Sequence, residues 1–98
     1  MIAKLTAAEG KREELIAAFE EYFPALENEP GTETYVLHED SGDPNVVWFY
    51  ELYTDNDALG AHGSSEAMQA LGPKLGALLA GRAELSLLQP RKAKGLAI

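Results

Sequence analysis

Three side chains that could move protons stand close together in the stretch WFYELYTDNDALGAHGSS, residues 48–65: Glu51, Tyr53 and His62. They place a carboxylate, a phenol and an imidazole around one strand-to-helix corner. Imidazole is the side chain whose ordinary titration range lies nearest neutrality, which makes His62 the natural proton acceptor. It follows Leu59 by three residues and shares that side of a short helix. A histidine packed at the start of a helix pair, near Ser64 and Ser65, is the competing structural reading.

Glu51 alternates with Phe49 and Tyr53 on one strand face. A carboxylate among apolar neighbours is costly unless hydrogen bonded, so His62, Tyr53, a backbone amide or a cation across a subunit interface is expected to meet it. Its expected task is to orient His62, as carboxylates orient catalytic imidazoles elsewhere. Tyr53 and Tyr35 are hydroxyl-bearing candidates to line a pocket, with Phe49 beside them; each also reads as an ordinary core aromatic. His38 shares a strand face with Val36 and reads as an exposed or hairpin histidine.

Other chemistries find little support. His38, His62 and Glu51 lack a spacing that would bring them together on a metal, so no metal site is expected. The chain has no cysteine, hence no thiol nucleophile and no thiolate ligand. No glycine-rich strand-to-helix loop offers to cradle a phosphate, and Ser64 and Ser65 read as helix caps. A net charge of -8 disfavours a nucleic-acid partner, because that binding rests on neutralising phosphates. No apolar run approaches the roughly 20 residues of a membrane span. The expectation is a soluble, cytoplasmic protein with neither nucleic-acid nor membrane partners.

The elements that must position these residues follow from periodicity. Residues 1–7 alternate as a short strand, with Ala3 and Leu5 on one side. From Lys11, the stripe Leu15, Ile16, Phe19, Tyr22, Phe23 and Leu26 predicts an amphipathic helix that either kinks at Pro24 or restarts as a last turn through Asn28. Glu29-Pro30-Gly31 signals a turn into a strand over 32–39, and Asp40 to Asn45, with Ser-Gly-Asp-Pro inside it, a hairpin loop. Residues 46–54 form the strongest strand candidate, with faces Val47, Phe49, Glu51, Tyr53 and Val46, Trp48, Tyr50, Leu52.

Thr54 with Asp57 resembles a capping box opening a helix through His62. A second helix carries Met68, Leu71, Leu75, Leu78 and Leu79, with a bend expected at Gly72-Pro73. Ala83 to Leu88 alternates as a last strand ending at Pro90. The order βαββαβ predicts an α+β, ferredoxin-like domain over 1–90, an antiparallel sheet with both helices on one face, and a tail over 91–98. The other sheet face would be left uncovered and apolar, which predicts a homodimer.

The ordered series AKLTAAEGKREEL, EPG before TETYVLHED, WFYELYTD, ALGAHGSSEAM and LLAGRAELSLLQP resembles the antibiotic biosynthesis monooxygenase domain family. The resemblance runs through Pro90 and implies a dimeric α+β barrel. It also implies a monooxygenase that needs no cofactor and oxidises a small quinol or polyketide phenol with O2. His62 would then be the base or oxygen-binding donor and Glu51 its support, while Tyr53, Tyr35 and Phe49 shape the pocket. The family's haem-degrading branch is departed from at Ala3, where that branch has Asn, at Tyr53, where it has Trp, and near 69–72, where its axial histidine is missing. Two alternatives remain open: a non-catalytic dimeric binding or stress-response module, and an isomerase of a small carbonyl compound.

Overall fold

A computed structural model describes all 98 residues. The elements are β1 (Ile2–Thr6), α1 (Arg12–Tyr22), a 3-10 helix (Phe23–Asn28), β2 (Thr32–Glu39), β3 (Val46–Tyr53), α2 (Asn56–Gly63), α3 (Glu66–Leu78) and β4 (Glu84–Ser86). The four strands form one antiparallel sheet in the order β2-β3-β1-β4, the ferredoxin-like arrangement expected from the βαββαβ pattern. No helix is long and apolar enough to cross a membrane.

The alternation of β3 decides which face meets the helices. Val47 and Phe49 are buried with Ala3 and Leu5 of β1 beneath Leu15, Ala18 and Phe19 of α1, and Leu71 of α3 joins them. Glu51 and Tyr53 therefore point to the helical side, where the sequence pattern put them together. On the opposite face, cross-strand pairs bring Tyr50 beside Val36 and Ile2, and Trp48 beside His38 and Lys4. His38 thus lies on the face without helices, with Nδ1 at 3.2 Å from the Trp48 carbonyl oxygen.

Pro24 resolves the ambiguity at the end of α1. The α-helix stops at Tyr22 and the chain continues as a 3-10 helix with the proline at its start, where a missing N–H is tolerated. The bend expected at Gly72-Pro73 does not interrupt α3, which runs as one helix from Glu66 to Leu78. Gly72 has no Cβ to collide with the following proline ring, which removes part of the usual penalty.

The β2–β3 hairpin is tied down from both sides. The Asp40 carboxylate accepts from the Trp48 indole at 2.7 Å and from the amides of Gly42 and Asp43, and these bonds, the indole first, hold its carboxyl below the usual range. Arg12 of α1 donates to the carbonyls of Asp40 and Asp43 and pairs with Glu39 at 3.1 Å, fixing the helix to the hairpin. The last strand is shorter than the expected 83–88. It pairs only with β1, while α3 packs mainly on α1, so Leu85, Leu87 and Leu88 stay exposed.

Leu15 is completely buried at the centre of this core. Leu15→Ala is expected to cost about 2–5 kcal/mol of unfolding free energy, whereas exposed Glu20→Ala should stay within about 0.5 kcal/mol. Urea denaturation of both variants checks the location of the core.

Candidate functional site

His62 is placed by a short helix that starts one residue later than the capping pattern indicates. The cap of α2 is Asp55, whose Oδ1 accepts the Ala58 amide at 2.8 Å. Thr54 is already committed: its amide donates to the Gly31 carbonyl and its hydroxyl to Glu33, so it still belongs to the strand end. Starting at Asn56 puts His62 in the last turn, facing inward as the one buried residue of α2. The helix can come this close because residue 31 is glycine. A Cβ there would lie 2.5 Å from the Cβ of Ala58.

The imidazole is 4% exposed. Its Nδ1 lies 2.8 Å from Oε1 of Glu29, at the end of the 3-10 helix, and 3.2 Å from the Tyr22 hydroxyl of α1. The rings of Tyr35 and Tyr53 stand 5.3 and 5.4 Å from it, centre to centre, and Tyr35 in turn packs on Phe49 at 5.1 Å. The second ring nitrogen, Nε2, has no hydrogen-bond partner in the protein. No buried side-chain nitrogen or oxygen is left unpartnered, so Nε2 must keep access to solvent-sized space.

Glu51, 3% exposed, is not the carboxylate on His62. Its Oε1 accepts a hydrogen bond from the Tyr53 hydroxyl, since residues two apart on a strand face are neighbours. The imidazole reaches instead to Glu29, which corrects the expectation that Glu51 contacts and orients it directly. Burial pushes the Glu51 carboxyl above its usual range, opposed by the Tyr53 bond and by nearby His62. Burial likewise pushes the hydroxyls of Tyr22, Tyr35 and Tyr53 upward, with neighbouring carboxylates adding to it. All three stay protonated at neutral pH and can only give hydrogen bonds or share them as neutral groups.

A cleft of about 790 Å³ opens beside this cluster, between the end of β3 and the C-terminal residues. Glu51, Tyr53, Leu59, Leu87, Leu88 and Ile98 are on its wall, whereas His62, Tyr35 and Phe49 are not. Tyr53 belongs to both, bordering the cleft and packing on the imidazole. The structure therefore gathers His62, Tyr53, Tyr35 and Phe49 into one aromatic cluster and gives Glu51 to the cleft side of it. Glu29 and Tyr22 were missed by sequence reasoning. Tyr22 was visible only as a member of the helix stripe, and Glu29 as part of a turn signal; nothing local announces a bond between residues 33 apart.

The family model for antibiotic biosynthesis monooxygenase matches residues 1–73. Among solved structures, a protein from Shewanella oneidensis is 29% identical, with 85% of this chain and 82% of that one covered and a TM-score of 0.77. A Caulobacter crescentus protein described as a candidate antibiotic biosynthesis monooxygenase is 28% identical over 90% of this chain and 87% of that one, with a TM-score of 0.80. A Mycobacterium tuberculosis protein, 24% identical, covers 94% and 93% at a TM-score of 0.84 and bears on the fold alone. None of the curated proteins matches.

The raised Glu51 carboxyl carries a signed consequence for stability. The folded protein holds that proton more tightly than the unfolded chain, so stability is lost as pH rises from the ordinary carboxylate value of 4.5 through the folded value. Glu51→Gln keeps an acceptor for Tyr53 without a charge to bury. Its melting temperature should therefore gain on that of the wild type as pH rises above the ordinary carboxylate value of 4.5, and parallel melting curves against pH would contradict this account.

Proposed function

The chain belongs to the antibiotic biosynthesis monooxygenase family, and on that footing we propose that it oxidises a small phenol or quinol with O2 and without a cofactor. The observation that carries the proposal is the unclaimed Nε2 of a buried imidazole, held among the tyrosine rings that adjoin the cleft through Tyr53. Nε2 takes the substrate's phenolic proton, and the electron-rich anion itself reduces O2. A ring carbon loses its hydrogen and gains one oxygen atom. The other oxygen leaves as water with that hydrogen and the phenolic proton, so phenol and O2 balance to quinone and water with no outside reductant. The hydroxyl of Tyr35, kept protonated by burial, donates to the developing oxyanion, while Tyr53, whose hydrogen is given to Glu51, shapes the pocket with its ring. Glu51 sits at the cleft wall as the second proton-holding group.

A homodimer is part of the proposal. Val36, Leu85, Leu87 and Leu88 are exposed apolar residues, and the face carrying Trp48 and Tyr50 has no helix over it. A second copy packed on that face would bury Val36, Trp48 and Tyr50. Light scattering at micromolar concentration should give twice the 10.6 kDa chain mass; a monomer would overturn the dimer.

A second reading is favoured by one observation: His62 is absent from the cleft wall, as it would be if the cleft only held a ligand and the imidazole were structural. Oxygen uptake with a panel of hydroquinones and phenols separates the two. His62→Ala is expected to lower turnover by about 10²–10⁴-fold while the protein still melts cooperatively. Tight binding of a quinone with no O2 consumption across the panel would favour the binding module.

A further inference from the structure

We propose that Glu29 is the positioning residue of His62, fixing the proton on Nδ1 so that Nε2 carries the free lone pair. An ionised carboxylate only accepts hydrogen bonds, and a bare Nδ1 at 2.8 Å from Oε1 would set two lone pairs against each other. Nδ1 therefore bears the hydrogen and donates it to Glu29, with the Tyr22 oxygen at 3.2 Å as a second, weaker acceptor. In the neutral ring this leaves Nε2 as the acceptor.

The carboxylate is itself held in place. Its Oε1 also accepts the Thr32 hydroxyl at 2.9 Å, and the Thr32 amide donates back to the Glu29 carbonyl at 3.0 Å. Gly31, between them, permits the close approach of Ala58 that brings α2 onto this turn. The other titratable groups facing the imidazole are Tyr22 from α1, Tyr35 from β2, and Tyr53 and Glu51 from β3. Tyr22 is the only one of these four within hydrogen-bond distance of the ring, and Glu29 is the only carboxylate there. The consequence for catalysis rests on the reading of His62 as proton acceptor; the tautomer does not.

The test is the ring nitrogen spectrum of 15N-labelled full-length protein, in buffer alkaline enough to leave imidazole neutral. His38→Gln removes the other histidine and leaves one set of signals. Nδ1 should appear protonated and Nε2 bare. Glu29→Gln should keep that pattern, since its amide oxygen can accept the same hydrogen, whereas Glu29→Ala should shift the signals toward the Nε2–H form. Where phenol oxidation is measurable, Glu29→Ala should lower kcat by about 10–100-fold, as when ring-orienting partners of metal-bound histidines are lost, with KM little changed and Glu29→Gln largely restoring it. A wild-type spectrum with Nε2 protonated would overturn the proposal, and so would a folded Glu29→Ala that keeps Nδ1–H. If Glu29→Ala does not fold, the wild-type and Glu29→Gln spectra decide. Protonated Nδ1 in a protein that oxidises no phenol would remove the proposed reaction and leave the assignment of Glu29 standing.

Discussion

The bond from the His62 imidazole to the Glu29 carboxylate joins two parts of the chain that are otherwise held together by little. One end sits in the last turn of an eight-residue helix, the other at the close of a 3-10 helix, 33 residues earlier. Each partner is nearly out of water, and a buried polar group left alone costs about 1–3 kcal/mol. Several local choices serve this contact. Pro24 turns the end of α1 into the 3-10 helix, Gly31 clears the approach of Ala58, and Asp55 sets where α2 begins. Moving the start of α2 by one residue would rotate His62 by roughly 100° about its axis and away from the carboxylate.

The interior beside it is polar in an ordered way. Two carboxylates are held by hydrogen bonds, Glu29 by the imidazole and the Thr32 hydroxyl and Glu51 by Tyr53, and no buried side-chain nitrogen or oxygen goes without a partner. The tyrosines between them are kept neutral by burial, so the two carboxyl groups stand at the ends of the cluster with hydroxyls between them. An electron-rich aromatic anion formed among these groups would meet hydroxyl donors rather than a second anion. That separation is a property of the packing and not of any single residue.

The sheet is built with the same asymmetry. Its helical face holds the core and the polar cluster, while the face with Trp48 and Tyr50 is left to cross-strand pairs and to the Asp40 lock on the indole. Arg12 reaches from α1 to the hairpin loop and so couples the covered face to the turn that sets the register of β2 on β3. The short β4 and the exposed leucines after it lie where no helix covers the sheet.

Residue pattern alone determined the element order, the grouping of Ala3 with Leu5 on one face of β1 and that of Phe49, Glu51 and Tyr53 on one face of β3, because period-two and helical repeats are local properties of the chain. It also singled out His62 and Tyr35, since their types are legible wherever they fall. It did not determine which of the two β3 faces meets the helices, or that β4 is cut short at Ser86. Above all it assigned the carboxylate on His62 to Glu51, the acidic residue nearest in sequence and on a promising face. Only the tertiary structure decided for Glu29, because that choice depends on how closely α2 approaches the turn at Gly31, and such a distance is set by packing between segments far apart in the chain.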